Sequence, residues 1–289
     1  MTTMMKREDF RFTERLRVRW SEVDTQGVVF NGHYLDYFDT AVSGYWRALA
    51  LPYAEAMAHI GGNMFMRKST LEYLSPARSD EMLDLAARTL KIGTTSLTLQ
   101  CALFRGEELL AHGELVYALA DAVSNKPMPL PEPLCEVIKA YEAGEAVVRV
   151  HVGQWDEIGK EAGAIRTAVF VEEQKIPVEM EWDEADASCL HAVAFNRFGQ
   201  PLATGRLLEH VPGVAKIGRM AVARSMRGSG VGREVLEALM RKGRELGYVE
   251  VLLHAQLSAK GFYLRAGFAQ RGDTFDEAGI GHVEMVRGL

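Results

Sequence analysis

The chain has 289 residues, 48% hydrophobic and 25% charged, an ordinary balance for a globular protein and a length that predicts two domains. Its formal net charge of −6 at pH 7 argues against a general nucleic-acid binder. Three widely separated cysteines indicate neither a disulfide framework nor a zinc site. The first residues lack the apolar core of a signal peptide, and no apolar run is long enough to span a membrane. We expect a cytoplasmic protein with reduced thiols, no metal, and no membrane or nucleic-acid partner.

The first half of the sequence predicts an α+β domain. A strand is predicted over 12–20 and a helix over 34–49, whose apolar positions share one face: Leu35, Phe38, Val42, Trp46 and Leu49. Four later stretches have the composition of antiparallel strands, namely MRKSTLEYL, EMLDLAARTLKI, TSLTLQCALFR and ELLAHGELVYALAD. One long helix followed by a run of strands is typical of an α+β fold.

A proline-rich segment separates the two halves. SNKPMPLPEP, residues 124–133, holds four of the nine prolines and excludes a helix interior. The following LCEVIKAYEAGE predicts a short helix that ends at Gly144, and AVVRVHVG predicts a new strand. We place the domain boundary near residue 145, which gives domains 1–145 and 146–289.

The second half interleaves strands and helices, which predicts a mixed α/β domain. After the strand that opens this half, we predict a helix (155–173), strands near 190–197, 202–209 and 215–222, a helix (231–246), a strand (249–254), a helix (258–266) and one final strand.

A glycine-rich stretch, RGSGVG at 227–232, lies between a predicted strand and a predicted helix. Such junctions bind phosphate because backbone N–H groups and the positive end of the helix point at the same anion. The stretch lacks the GK[ST] of a P-loop and the last glycine of GxGxxG, so neither motif predicts a nucleoside triphosphate or a dinucleotide. Seven basic and only two acidic residues lie between Arg219 and Arg244, which suits a small anionic ligand.

This stretch matches the R/Q-x-x-G-x-G/A pattern of GNAT-type N-acetyltransferases, which residues 147–289 resemble. The resemblance implies that the pyrophosphate of acetyl-CoA is held by Arg227, Gly228, Ser229, Gly230, Val231 and Gly232. It further implies that the pantetheine arm pairs with the preceding strand at Met220, Ala221 and Val222. A tight turn without a ligand is the alternative interpretation of the glycines.

The resemblance extends to residues implied to take part in the reaction, which lie in the stretch HAQLSAKGFYLRAGF. It implies that Tyr263 protonates the departing thiolate of CoA and that Gln256 lies near the cofactor, with a core tyrosine as the alternative for Tyr263. The base for the amine stays open among an ordered water and three acidic residues chosen by position: Glu173, Glu181 and Asp183. His191 and His254 are expected to be structural or at the rim of the site.

RVRWSEVDTQGVVFNGHYLDYFDTA places Asp24 between a strand and a Gly27 turn, ahead of the long helix. This segment resembles the 4-hydroxybenzoyl-CoA thioesterase branch of the hotdog fold, over about residues 12–142. The resemblance implies a long helix wrapped by an antiparallel sheet, with sites at dimer interfaces. It implies that Asp24 is the nucleophile or activates water, while the helix entrance polarises the thioester through Asn31, Gly32 and His33. Many relatives read H-x-N-Y where this chain reads NGHY, and a turn residue is the alternative for Asp24.

Together these patterns predict a bifunctional CoA enzyme, in which an acyl-CoA thioesterase precedes an N-acetyltransferase. Its small-molecule partners are an acyl-CoA, acetyl-CoA as the acetyl donor, and an amine acceptor. The hotdog resemblance implies a homodimer or homotetramer. Two alternatives stay open: the hotdog half binds acyl-CoA without turnover, or the whole protein senses acyl-CoA and reports through assembly.

Overall fold

The computed structural model describes residues 5–277 and 279–289. The chain divides into two compact units, Met1–Val147 and Val148–Leu289. Within the described ranges, no helix combines the length and the apolar character needed to cross a membrane.

Over its described residues, from 5 onwards, the first unit contains one antiparallel sheet and three α-helices. Its strands are β1 (Phe12–Arg17), β2 (Gly62–Tyr73), β3 (Met82–Ile92), β4 (Ser96–Arg105) and β5 (Glu108–Asp121). They are arranged in the order β1-β3-β4-β5-β2. The helices are α1 (His33–Ala48), α2 (Tyr53–Ile60) and α3 (Glu132–Glu142). Of these, α1 packs against β1, β3 and β4.

The predicted apolar face of α1 forms much of the core of this unit. Phe38 and Leu49 are fully buried, and Val42 and Trp46 are nearly so. Gly44 allows the helix to approach β1 closely, because a Cβ at this position would lie 2.4 Å from the ring of Phe12. The apolar residues that recur regularly along α1 therefore form the contact between this helix and the sheet.

Two local features of the first unit differ from the sequence prediction. The first strand ends at Arg17, because a 3-10 turn over Trp20–Glu22 follows, in which the Glu22 carboxylate accepts from the N–H of Arg19 at 2.7 Å. Helix α2 was not predicted. It spans only eight residues and buries only Ala56 and Met57, so it has little helical periodicity to detect.

The second unit contains one seven-stranded sheet in the order β11-β12-β10-β9-β8-β7-β6. Its strands are β6 (Val148–Gly153), β7 (Leu190–Asn196), β8 (Pro201–Val211), β9 (Val214–Val222), β10 (Glu250–Gln256), β11 (Ala269–Glu277) and β12 (Ile280–Gly288). Its helices are α4 (Trp155–Arg166), α5 (Val178–Glu181), α6 (Val231–Glu245) and α7 (Lys260–Arg265). The β9–β10 pair is parallel, and its neighbours in the sheet are antiparallel.

The second unit also differs from the prediction in two places. The helix predicted over 155–173 is α-helical only to Arg166 and continues as a π-helical segment over Thr167–Glu173. The single final strand is a pair, β11 and β12. Because β11 is exposed along its whole length, it lacks the alternation of apolar and polar residues by which a half-buried strand is predicted.

Candidate active sites

A divergence between two parallel strands opens the second unit. Strand β9 pairs with β10 only over Val214–Lys216, although both strands continue further. Beyond that point β9 carries a bulge, where the register against β8 shifts and Arg219 adopts a left-handed φ of +51°. A bulge bends its strand and interrupts the ladder, so a cleft forms between β9 and β10.

On one side of the divergence lies a cavity of about 660 Å³, here called the loop cavity. It brings together most of the residues predicted to bind the cofactor: Met220, Ala221, Val222, Arg227, Gly228, Gly230, Gly232 and Gln256. Ser229 and Val231 are not in its lining. Ser229 donates its hydroxyl hydrogen bond to the Met226 carbonyl at 2.7 Å, and Val231 is buried in the core. Arg233 and Phe262 line the cavity although the sequence did not single them out.

The glycines of the loop have distinct physical roles. Gly228 and Gly230 adopt φ values of +83° and +93°, in the left-handed region that favours glycine. Gly232 lies in the first turn of α6, where a Cβ would come within 2.9 Å of Val222, so glycine lets the helix approach β9. The helix begins at Val231 without a side-chain cap, which leaves N–H groups at its positive end for an anion.

On the other side of the divergence lies a cavity of about 320 Å³, here called the acceptor cavity. Its walls come from the π-helical segment, α5, β8, β9, β10 and β12. Five residues line both cavities and therefore mark their junction: Gln174, Met220, Gln256, Ala259 and Tyr263. Gln256 donates from Nε2 to Oε1 of Gln174 at 3.0 Å. Gln174 directly follows the π-helical segment, and the sequence analysis did not identify it as a site residue.

Tyr263 combines burial with a position at this junction. Only 7% of the residue is exposed, and its ring packs edge-on against Phe262 and Phe268. Burial raises the pKa of Tyr263 to about 12. The hydroxyl carries a proton at neutral pH, as an unperturbed tyrosine also does, so it is able to donate one.

The three acidic residues considered as bases are all engaged with arginine. Glu173 accepts two hydrogen bonds of 2.7 Å from Arg227, which lower its pKa. Glu181 and Asp183 belong to a largely buried ionic cluster of three arginines and three acids: Arg166, Arg206, Arg219, Glu181, Asp183 and Asp186. These pairs favour structural roles for the three carboxylates.

Asp186, Cys189 and His191 place their potential metal-ligating atoms within 4.8 Å of one another. Both carboxylate oxygens of Asp186 accept from Arg166, and one of them also accepts from Arg206. An arrangement in which guanidinium groups hold the carboxylate does not suit a cation. His191 is buried, and its Nε2 lies 2.9 Å from the Asp186 carbonyl, whereas His254 lines the acceptor cavity.

In the first unit, Asp24 forms hydrogen bonds within the turn in which it lies, residues 24–28. Its Oδ1 accepts from the N–H groups of Gln26 and Val28 at 2.8 and 3.4 Å, and its own N–H donates to the Val28 carbonyl. This is the turn geometry considered as the alternative, and it fixes the carboxylate in place. Among the residues for which coordinates are described, none donates a hydrogen bond to Oδ2.

At the start of α1, not all of the backbone N–H groups expected to polarise the thioester are available. The N–H groups of His33 and Tyr34 donate to the carbonyls of Phe30 and Asn31, because Gly32 is already helical, with φ −61° and ψ −33°. Within the described ranges, the N–H groups without a hydrogen bond here are those of Asn31 and Gly32. The His33 side chain contacts Asp36, with 2.8 Å between Nδ1 and Oδ2.

A third cavity, of about 270 Å³, lies beside α1. Its lining is mainly apolar, with four polar side chains, from Asp39, Ser43, Tyr53 and Tyr117. Tyr117 donates to Asp39 at 3.3 Å. Asp24, Asn31, Gly32 and His33 are not in this lining. This cavity could have been predicted from the sequence, because helical spacing places three of its lining residues on one side of α1: Asp39, Ser43 and Trp46.

Family models match both units. The model described as Thioesterase-like superfamily matches residues 18–138, and the model described as Acetyltransferase (GNAT) domain matches residues 162–289. The predicted fold class is thereby confirmed, since a thioesterase-like hotdog unit precedes a GNAT unit and both sheets are open.

Individual relatives each correspond to one half of the chain. The uncharacterized N-acetyltransferase YjcF of Bacillus subtilis (strain 168) is 33% identical over 129 residues, which are 44% of this chain and 91% of YjcF. The acyl-CoA thioester hydrolase YbgC of Escherichia coli O6:H1 (strain CFT073) is 28% identical over 125 residues, 43% of this chain and 92% of YbgC. A solved thioesterase complexed with coenzyme A and Zn, from Thermus thermophilus, is 25% identical, with a TM-score of 0.41, and the match covers 47% of this chain and 98% of that one.

These findings define a CoA-related protein built from two domains of different families. The chain belongs to the GNAT acetyltransferase family through its second unit, and residues 18–138 of its first unit match the thioesterase-like superfamily model.

Proposed function

We propose that the protein is a bifunctional enzyme of coenzyme A thioesters. Domain 1–145 hydrolyses an acyl-CoA, and domain 146–289 transfers the acetyl group of acetyl-CoA to an amine. The observation that carries the proposal is the junction of the loop and acceptor cavities, where Tyr263 and Gln256 line both. A donor and an acceptor that enter from opposite sides meet at such a junction.

In the acetyl transfer, the glycine-rich loop and the N-terminus of α6 hold the pyrophosphate. The pantetheine arm runs along β9 at Met220–Val222, and the N–H of Val222 polarises the thioester carbonyl. The neutral amine attacks this carbonyl carbon, forming the C–N bond as the C–S bond breaks, and the proton that the nitrogen loses passes to an ordered water. Tyr263 gives its proton to the departing thiolate, a step worth about 10²–10⁴-fold in rate.

In the hydrolysis, the Asp24 carboxylate either attacks the thioester carbon or takes a proton from the water that attacks it. Its orientation by the N–H groups of Gln26 and Val28 supports this role, because one oxygen anchors the group and the other faces away from those bonds. The N–H groups of Asn31 and Gly32 stabilise the developing oxyanion, and His33 contacts the substrate.

We further propose assembly through the first unit as a homodimer or homotetramer. Strand β2 lies at an edge of its sheet, and Phe65 on this strand is 46% exposed. An exposed apolar edge strand is a template for pairing with a second chain. Assembly brings a second copy of the helix entrance into reach of the Asp24 loop.

A second candidate assigns catalysis to the GNAT half alone, with the first unit as a dimerising acyl-CoA-binding module. The absence of Asp24 from the lining of the cavity beside α1 favours this candidate.

Calorimetric titration with a non-hydrolysable acyl-CoA analogue tests the number of CoA sites. The proposal predicts two sites per chain, one of which is lost in Gly230→Asp, because a carboxylate then meets the pyrophosphate. A single site that disappears in this variant would contradict a CoA-binding first unit.

A further inference from the structure

The acceptor cavity contains a buried hydrogen-bond donor without an acceptor. Arg206 is only 7% exposed, and its terminal nitrogens donate to Asp183 and Asp186 at 2.6–2.7 Å. Its Nε, also buried, has no hydrogen-bond partner among the residues with described positions. Buried donors are normally satisfied, so a ligand oxygen that accepts from this N–H is favoured. Arg206 lines the acceptor cavity.

A glycine leaves space beside this donor. Gly218 on β9 is the cross-strand partner of Arg206 on β8, and both line the acceptor cavity. A Cβ built on Gly218 would meet only one described atom within 4 Å, namely Nε of Arg206 at 3.9 Å. The position of that Cβ is otherwise open, so the Gly218 side is the direction from which a ligand oxygen can approach Nε.

A lysine ammonium lies on the same wall. Lys216 is two residues before Gly218 on β9, so both side-chain positions face the same side of the sheet. Its Nζ is 3.4 Å from Nδ1 of His254, and no carboxylate in the described part of the chain lies within 4.0 Å of it. The ammonium keeps donors for a ligand.

The other charges of this cavity are largely balanced by the protein. Arg206 and Arg219 are paired with Asp183, Asp186 and Glu181 in the buried cluster. The remaining titratable groups in the lining are Tyr263, His254, His282 and Glu277, and the Glu277 carboxylate is 3.5 Å from Nδ1 of His254. Among the described residues of this lining, Lys216 is thus the lysine or arginine that is not already paired with a carboxylate.

Building on the acetyl transfer proposed above, we propose that the acceptor is a small primary amine that carries an anionic oxygen group. The carboxylate or phosphate of this acceptor lies over Gly218, between Nε of Arg206 and Nζ of Lys216. Gly218 precedes Met220, at the junction of the cavities, and the bulged residue Arg219 lies between them, so the anion and the reacting amine occupy different places along β9. The amine and the anion must therefore be separated by several bonds, which favours an elongated acceptor over an α-amino acid.

The proposed anion site is tested with four amines that have the same six-carbon length but differ in the group at the end away from the reacting amine. Hexylamine, 6-aminohexanoate, 6-aminohexyl phosphate and 1,6-diaminohexane are compared by the amine-dependent release of CoA thiol from acetyl-CoA. The wild type is expected to show a kcat/KM at least about tenfold higher for an anionic amine than for hexylamine, as a charge-assisted contact provides. The better of the two anionic amines identifies the anion as carboxylate or phosphate.

Two variants assign the preference to the site. Lys216→Met removes the positive charge, and Gly218→Ala fills the space beside Arg206 without a steric clash. Each variant should lower kcat/KM for the anionic amine about tenfold. Each should leave kcat/KM for hexylamine within about twofold of the wild-type value. Lys160→Met, on the exposed face of α4, is the matched control and should change neither. Preference for 1,6-diaminohexane, which would assign the far group to Glu277, overturns the inference. An equal loss for hexylamine in Lys216→Met also overturns it.

Binding separates this inference from the proposed acetyl transfer. Calorimetry measures the binding of 6-aminohexanoate and 6-aminohexyl phosphate to protein saturated with CoA. Binding that Lys216→Met abolishes, without acetylation of any amine, supports the anion site and contradicts the transferase. Neither binding nor acetylation contradicts both.

Discussion

Gln256 on β10 donates a hydrogen bond to Gln174, at the end of the π-helical segment, across the junction of the loop and acceptor cavities. Both side chains line both cavities, at the place where the proposed acetyl transfer would occur. The bond holds each amide in place, and its loss frees the other to turn into the junction.

We therefore expect Gln256→Met and Gln174→Met each to lower kcat/KM for the amine about fivefold, which is about 1 kcal/mol, the usual worth of one hydrogen bond. The double variant should lose little more than either single variant, because one shared contact is removed in all three. Steady-state kinetics of the double-mutant cycle measure this coupling. Gln270→Met is the control, since Gln270 bonds to Lys260 instead. Additive losses would contradict a shared role.

The Glu173–Arg227 ion pair at the loop cavity predicts competition with the cofactor. Two hydrogen bonds of 2.7 Å join these side chains, and the proposed pyrophosphate site includes the same arginine. Glu173→Gln should tighten acetyl-CoA binding about threefold at low salt and less at high salt, because the pair is exposed and screened. Calorimetric titration at two salt concentrations measures this. Glu172→Gln removes an equal charge from an exposed neighbour and is the control. Weaker binding in Glu173→Gln would mean instead that the pair holds the loop in its binding conformation.

The buried ionic cluster predicts acid sensitivity of the second unit. Burial alone would raise the pKa of Asp186, but hydrogen bonds from Arg166 and Arg206 lower it from 3.8 to about 2. Because the folded-state pKa lies below the unfolded value, the resulting stability is present above about pH 4 and is lost as the pH falls towards 2.

Asp186→Asn should lower the free energy of unfolding by about 3 kcal/mol at pH 7, because it leaves two guanidinium groups under-compensated. Urea unfolding followed at pH 7 and pH 3 should show a smaller difference between wild type and variant at pH 3. Asp183→Asn, at a more exposed position, should cost less. An equal deficit at both pH values would contradict the assigned cause.

Local patterns in the sequence predicted the parts of the fold that depend on local spacing. The apolar repeat of α1 and the glycine-rich connection between β9 and α6 both follow from residues close in sequence. The acceptor cavity does not, because a bulge at Arg219 and the pairing of β8 with β9 bring Arg206, Gly218 and Lys216 together. Strand β11 also escaped prediction, since its exposed residues carry no apolar alternation.

The catalytic roles proposed for Asp24 and Tyr263 are separable, because the two residues belong to different units. Asp24→Asn should abolish hydrolysis and leave acetyl transfer unchanged. Tyr263→Phe should lower acetyl transfer about 10²–10⁴-fold and leave hydrolysis unchanged. Tyr248→Phe, another tyrosine of the second unit, is the control and should leave both rates unchanged.

The most direct test of two independent activities is the release of free thiol from a panel of acyl-CoAs with no amine present. The account predicts release from at least one acyl-CoA by the wild type and by Tyr263→Phe, and its loss in Asp24→Asn. Release that survives Asp24→Asn and disappears in Tyr263→Phe, or no release from any acyl-CoA, would contradict a catalytic first unit.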